Sequence, residues 1–244
     1  MNENRPVLIT GENSYCPGCG HGIFDRVLAE VLEEMGLHEK AICAVDIACS
    51  YLTTQYFHTD YIMGPHGRIS EVACGMKHAR PENVVYARCG DGAAYAIGLA
   101  ETMSVAIRNE NICMFVVNNT IYGMTGGQMA PTTLPGQYSS SSIHGKDPQK
   151  FGNPVNVVDI MGKLPIAYLA RGSVASVAEI HKLKAMIKKA IAHQLNGDGF
   201  SFVEILSPCP TNWNMTPLQA IERMKEEVYP YFACGEFIDK EVAK

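Results

Sequence analysis

The strongest constraint on the fold is an alternation of two kinds of segment. Short apolar runs rich in β-branched and aromatic residues occur at 41–47, 84–89, 112–117, 166–170 and 200–206. Between or beside them, 20–37, 69–79, 94–108, 155–161, 177–195 and 217–228 carry helical periodicity. In the first of these, Ile23, Val27, Val31 and Met35 recur at four-residue steps beside Phe24, Leu28 and Leu32. Unbroken apolar strands are buried on both faces, and intervening helices supply the crossovers between parallel neighbours. The chain is therefore expected to form a doubly wound, mostly parallel α/β sheet. No repeat or linker divides its 244 residues, so one domain over 1–244 is expected, with a cysteine-bearing N-terminal segment and a short tail after Tyr229.

Composition narrows the function. Twenty basic against 25 acidic residues give a net charge of -5, and the basic cluster at 182–189 alternates with apolar residues as a solvated helix face does. Nucleic acid is not an expected partner. The longest apolar run, 112–117, is far short of the roughly 20 residues that a bilayer span needs. The first residues lack a secretory pattern, so no membrane and a cytoplasmic location are expected. Nine cysteines, an odd number, favour metal or cluster ligation over a disulfide framework. Between 118 and 153 no periodicity is sustained, which marks a candidate site loop.

In a doubly wound sheet, ligands bind beyond the carboxyl ends of the strands. Those ends here read Ala48-Cys49-Ser50, Gly90-Asp91-Gly92, Asn118-Asn119 and Ser207-Pro208-Cys209-Pro210. Glycines at a helix start let a phosphate approach unpaired backbone N–H groups, but Asp91 repels phosphate unless a cation lies between. Mg²⁺, with its oxygen ligands, answers that requirement, and Asn119 offers a second side-chain oxygen. The alternative is a turn whose aspartate caps an ordinary helix. Cys16-Pro-Gly-Cys19 suits zinc, thiol exchange or part of an iron–sulfur cluster. Cys49 and Cys209, on the same sheet edge, complete a candidate four-thiolate set. Cys43, Cys89 and Cys113 belong to strands and Cys74 to a helix, where cysteine acts as a small hydrophobe.

The motifs Cys-Pro-Gly-Cys-Gly-His at 16–21, Ala-Cys-Ser at 48–50, Pro-His-Gly-Arg at 65–68 and Gly-Asp-Gly at 90–92 follow one another in this order. Asn-Asn-Thr-Ile-Tyr-Gly-Met-Thr-Gly-Gly-Gln-Met-Ala-Pro-Thr-Thr at 118–133 and Pro-Cys-Pro-Thr at 208–211 complete the series. Together they resemble the β subunit of 2-oxoacid:ferredoxin oxidoreductases, over nearly the whole chain. The resemblance implies a sheet of the thiamine diphosphate-binding type. It implies a 4Fe-4S cluster on Cys16, Cys19, Cys49 and Cys209, and Mg²⁺ held by Asp91, Asn119 and the carbonyl of Ile121. By the same resemblance Ile47, Ser50, His66, Gly90, Gly92, Ala93, Gly123, Met124 and Thr125 surround thiamine diphosphate.

The implied reaction is oxidative decarboxylation of a 2-oxoacid to acyl-CoA and CO₂, with coenzyme A as co-substrate and ferredoxin as electron acceptor. The implied partners are an α subunit supplying the activating glutamate, a γ subunit and a ferredoxin-like δ subunit. Relatives acting on 2-oxoglutarate often place a cation after the third cluster cysteine, whereas Tyr51-Leu52-Thr53 follows Ser50 here. With apolar Met124 this favours branched-chain substrates such as 2-oxoisovalerate over 2-oxoglutarate or pyruvate. The rival readings are a non-oxidative thiamine decarboxylase with incidental cysteines and a zinc-stabilised interaction module.

Overall fold

Residues 5–240 are described by the computed structural model. Residues 1–4, read above for a leader pattern, lie outside them. Nine strands are present among these residues: β1 Ala41–Val45, β2 Asp60–Met63, β3 Val84–Gly90, β4 Cys113–Asn118, β5 Ile121–Tyr122, β6 Gln128–Met129, β7 Tyr168–Ser173, β8 Ser201–Leu206 and β9 Gly235–Asp239. The helices are α1 His21–Glu34, α2 Ile69–Ala79, α3 Leu99–Ile107, α4 Pro148–Phe151, α5 Val157–Met161, α6 Val177–Asn196, α7 Pro210–Trp213, α8 Pro217–Arg223 and α9 Tyr229–Tyr231. No helix among the described residues is long and apolar enough to cross a membrane.

Seven strands form one sheet in the order β2-β1-β3-β4-β8-β7-β9, parallel except for β9, which is antiparallel to β7. The strand register brings the carboxyl ends together: Val45 lies opposite Arg88, Gly90 opposite Val117, and Asn118 opposite Leu206. Because side chains alternate along a strand, each strand feeds two cores. Cys43, Val45, Tyr86, Phe115 and Ile205 pack with α1 and α6 on one face, while Ala44, Val85, Ala87, Met114 and Phe202 pack with α2, α3 and α5 on the other. A third cluster, around Ile121, Leu134, Trp213 and Phe232, lies beneath the site loop.

The expected strands and helices form with shifts of a residue or two at most boundaries. The helix read at 94–108 is divided into a π-turn, Ala93–Ile97, and α3. Gly98 sits at the division because a Cβ there would fall 2.2 Å from the Gly67 carbonyl oxygen. The tail is more than an extension, since β9 closes the sheet edge. His193 on α6 binds Asp198 at 2.8 Å and Asp239 at 3.0 Å, and Lys189 binds Glu236 and Asp239.

Two buried polar contacts fix how layers sit on the sheet. Arg88 on β3 is ion-paired with Asp25 on α1, and both are almost fully excluded from solvent. Tyr15 and Tyr56 donate to the same carboxylate, so the cysteine segment and the 3₁₀ turn Ala48–Gln55 are tied to β3 as well. On α6, Gln194 accepts from the Val85 N–H at 2.8 Å and donates to the Val85 carbonyl at 2.7 Å. Its amide continues the ladder one residue before β4 begins, since Cys113 pairs with Tyr86. Gln194→Ala leaves both backbone groups unpaired and is expected to cost about 3 kcal/mol, read as a lower urea midpoint at unchanged m value.

Candidate functional site

At the carboxyl edge of β1, β3 and β4 a cleft is lined by ten of the sequence-predicted cofactor residues, Ile47, Ser50, His66, Gly90, Asp91, Gly92, Ala93, Asn119, Ile121 and Gly123. His21, Cys49 and Tyr122 share its walls. Met124 and Thr125 lie just outside the lining: the Met124 side chain is exposed, and Thr125 bonds Gln128 within the turn.

Asp91 is buried at the mouth of β3, where Thr132 donates to its Oδ2 and the Gly92 backbone N–H reaches it. Burial pushes its carboxyl up to about 7. Beside it, residue 92 must be glycine because the Tyr122 ring packs directly on its backbone. A Cβ there would lie 2.1 Å from the Tyr122 ring, whose hydroxyl donates to the Gly92 carbonyl at 3.1 Å. Opposite, the turn after β4 is strained. Buried Thr120 has φ +61°, a region that β-branched residues rarely enter. Its carbonyl accepts from Thr133 at 2.6 Å and Gln137 at 3.1 Å, while its N–H donates to Asn118 Oδ1 at 3.0 Å. That held turn presents Asn119 and Ile121 to the cleft.

His66 is oriented by Asp46, whose Oδ1 lies 2.6 Å from Nδ1 and whose Oδ2 accepts from the Gly67 N–H at 2.8 Å. An ionised Asp46 puts the proton on Nδ1 and leaves Nε2 as the acceptor. His21, by contrast, is held neutral: burial and the neighbouring Arg88 lower its imidazole to about 3.

The four thiols gather beside this cleft. Gly18 packs on Pro210 and Pro217, and Gly20 on Ser207 and Val174, which seats the Cys16–Cys19 turn over the end of β8. Cys19 is pushed up to about 12 by burial, and nearby Cys209, Cys49 and Cys16 add to the rise. Cys49 is pushed up to about 11 by burial, with Cys209 and Cys16 adding to it. Against this, backbone N–H groups aim at the sulfurs: His21 at Cys19, Met124 at Cys49 and Asn212 at Cys209. Such donors suit thiolates that carry negative charge. Among the described residues no three His, Cys, Asp or Glu side chains converge at the spacing of a single metal ion.

The sequence reading missed Asp46, Thr132, Tyr122 and Asn212. A lone carboxylate ending the apolar run at 41–47 was a legible signal for Asp46. Thr132 lies inside the loop motif at 118–133, but its pairing with Asp91, 41 positions away, is made only by the folded path of the loop.

A family model described as thiamine pyrophosphate enzyme, C-terminal TPP binding domain, matches residues 35–205. Ketoisovalerate oxidoreductase subunit VorA of Methanothermobacter thermautotrophicus is 38% identical over 227 residues, which cover 93% of this chain and 48% of VorA. The chain thus spans about half the length of that relative. The 2-oxoglutarate synthase subunit KorB of Archaeoglobus fulgidus is 33% identical over 212 residues, covering 87% of this chain and 75% of KorB. A solved structure of the 2-oxoglutarate:ferredoxin oxidoreductase from Magnetococcus marinus superposes with a TM-score of 0.77 at 24% identity, covering 100% of this chain and 88% of its own, and so shares the fold. The family model and the KorB match make this chain a member of the thiamine pyrophosphate enzymes, in the β-subunit family of the 2-oxoacid:ferredoxin oxidoreductases.

Proposed function

We propose that this chain acts, as one thiamine-binding domain, in a cytoplasmic enzyme that oxidatively decarboxylates a 2-oxoacid to acyl-CoA and CO₂ and reduces ferredoxin. One observation carries the reading: the turn that presents Asn119 and Ile121 to the cleft continues directly into Gly123 and Met124, which pack on and donate to Cys49. Two cofactor constellations thereby share one backbone segment. Asp91, the Asn119 side chain and the Ile121 carbonyl suit Mg²⁺, and Gly90 and Gly92 admit a diphosphate. Thiamine diphosphate, when bound, supplies the electron sink that amino-acid side chains lack.

The rest is work for this chain's own residues. Thr132 and the Gly92 N–H orient the Asp91 carboxylate, and Asp46 fixes the His66 ring at the cleft wall. The backbone donors on Cys19, Cys49 and Cys209 suit charged thiolate ligands and support the cluster reading. Among the described residues lining the cleft, Asp91 is the one carboxylate. By the family resemblance the activating carboxylate belongs to an α subunit, with γ and ferredoxin-like δ subunits completing the assembly. Ile47, Tyr51 and Met124 are exposed apolar residues in or beside the segments that line the cleft. They support a branched aliphatic 2-oxoacid, as does the name of the VorA relative.

The deciding measurement is iron, acid-labile sulfide and zinc in the anaerobically purified complex. About four irons and four sulfides are expected on this chain, with the visible absorbance lost in Cys209→Ser. Zinc or no metal in intact protein would overturn the redox reading. Thr132→Val is expected to weaken Mg²⁺-dependent thiamine diphosphate binding roughly 10- to 100-fold by calorimetry, because it frees the Asp91 carboxylate. In steady-state assays kcat/KM for 2-oxoisovalerate should exceed that for 2-oxoglutarate by at least roughly tenfold; the reverse order would assign the chain to the 2-oxoglutarate type.

A further inference from the structure

The short helix after β8 carries more than a thiol. The Asn212 side-chain amide donates to Cys209 Sγ at 3.4 Å and to the Gly123 carbonyl at 3.0 Å. Its backbone N–H reaches the same sulfur. Its Oδ1 packs on Gly127, where a Cβ would come within 2.9 Å. Next in sequence, Trp213 donates to the Asn119 carbonyl at 3.1 Å and is itself held under the Arg223 guanidinium, 4.5 Å from the ring centroid. Residues 209–213 therefore grip the Asn119–Gly123 turn at both ends while presenting a cluster-type sulfur.

We propose that Asn212 is a positioning residue that couples the two cofactor constellations: one amide group both draws charge from the Cys209 sulfur and fixes the Gly123 carbonyl of the thiamine turn. The inference rests on the cluster reading above and extends it to a residue with no place in either ligand set. An N–H donor on a thiolate ligand stabilises the more negative, reduced cluster, so its presence raises the reduction potential. Asn212 is half-buried, which strengthens the effect relative to a donor in water.

The test uses the anaerobically purified complex carrying Asn212→Leu, which removes the donor, and Asn212→Asp, which keeps the shape and replaces the donor with an acceptor. With iron and sulfide content unchanged, EPR-monitored titration is expected to show a more negative midpoint in both, further shifted in Asn212→Asp by its charge. Thiamine diphosphate affinity is expected to fall roughly 3- to 10-fold by calorimetry, the loss of one hydrogen bond. Asn212→Gln, which restores an amide donor, is expected to move both quantities back toward wild type. An intact cluster with an unchanged midpoint, whatever the change in melting temperature, would reduce Asn212 to a structural contact and overturn the inference alone. Absence of iron and sulfide from the wild-type complex would overturn the cluster reading and this inference together.

Discussion

The buried ion pair between Arg88 and Asp25 sets the geometry on which the site depends. Two charges removed from water are tolerated only when each meets the other and its remaining donors and acceptors are matched. Asp25 meets that condition by accepting from Tyr15, Tyr56 and Arg88 together, while Arg88 also donates to the Tyr15 hydroxyl at 3.0 Å and leaves its Nε without a partner among the described residues. Only one seating of α1 on the sheet provides this, so the pair acts as a register pin more than as a source of stability. Arg88 stands two residues before Gly90, and Tyr15 one residue before Cys16. The same contact thereby places the cysteine turn relative to the glycine cradle.

From that pin the edge is assembled by loops that serve two neighbours at once. The 48–55 turn carries Cys49 and Ser50 into the cleft and sends Tyr56 back to Asp25. The turn after β4 lines the cleft and packs on Cys49, and the segment after β8 offers Cys209 while holding that turn through Trp213. A parallel sheet makes such sharing natural, because all of its strand ends open on one side.

The sheet was legible because its strands are apolar on both faces and its helices amphipathic, so period and length separated them. β2 and β9 were not, since both lie at sheet edges with exposed side chains and carry no burial pattern. The break at Gly98 depends on the approach of Gly67, a contact across 31 positions that local propensity cannot register. Residues proposed to bear the chemistry themselves, such as Asp91 and the cysteines at the strand ends, stand out by type and spacing. Those that act by holding another group, such as Thr132 and Asn212, are ordinary loop residues until folding gives them a partner.

Thr120 gives the turn after β4 a kinetic character. A β-branched residue at φ +61° is held in that strained conformation by three hydrogen bonds from within the chain. On the proposed function, a turn already set in this shape would lose little chain entropy when a cation and a diphosphate bind to it. On the same reading, capture of the cation there would be set by diffusion and desolvation of the incoming ion rather than by a slow loop closure.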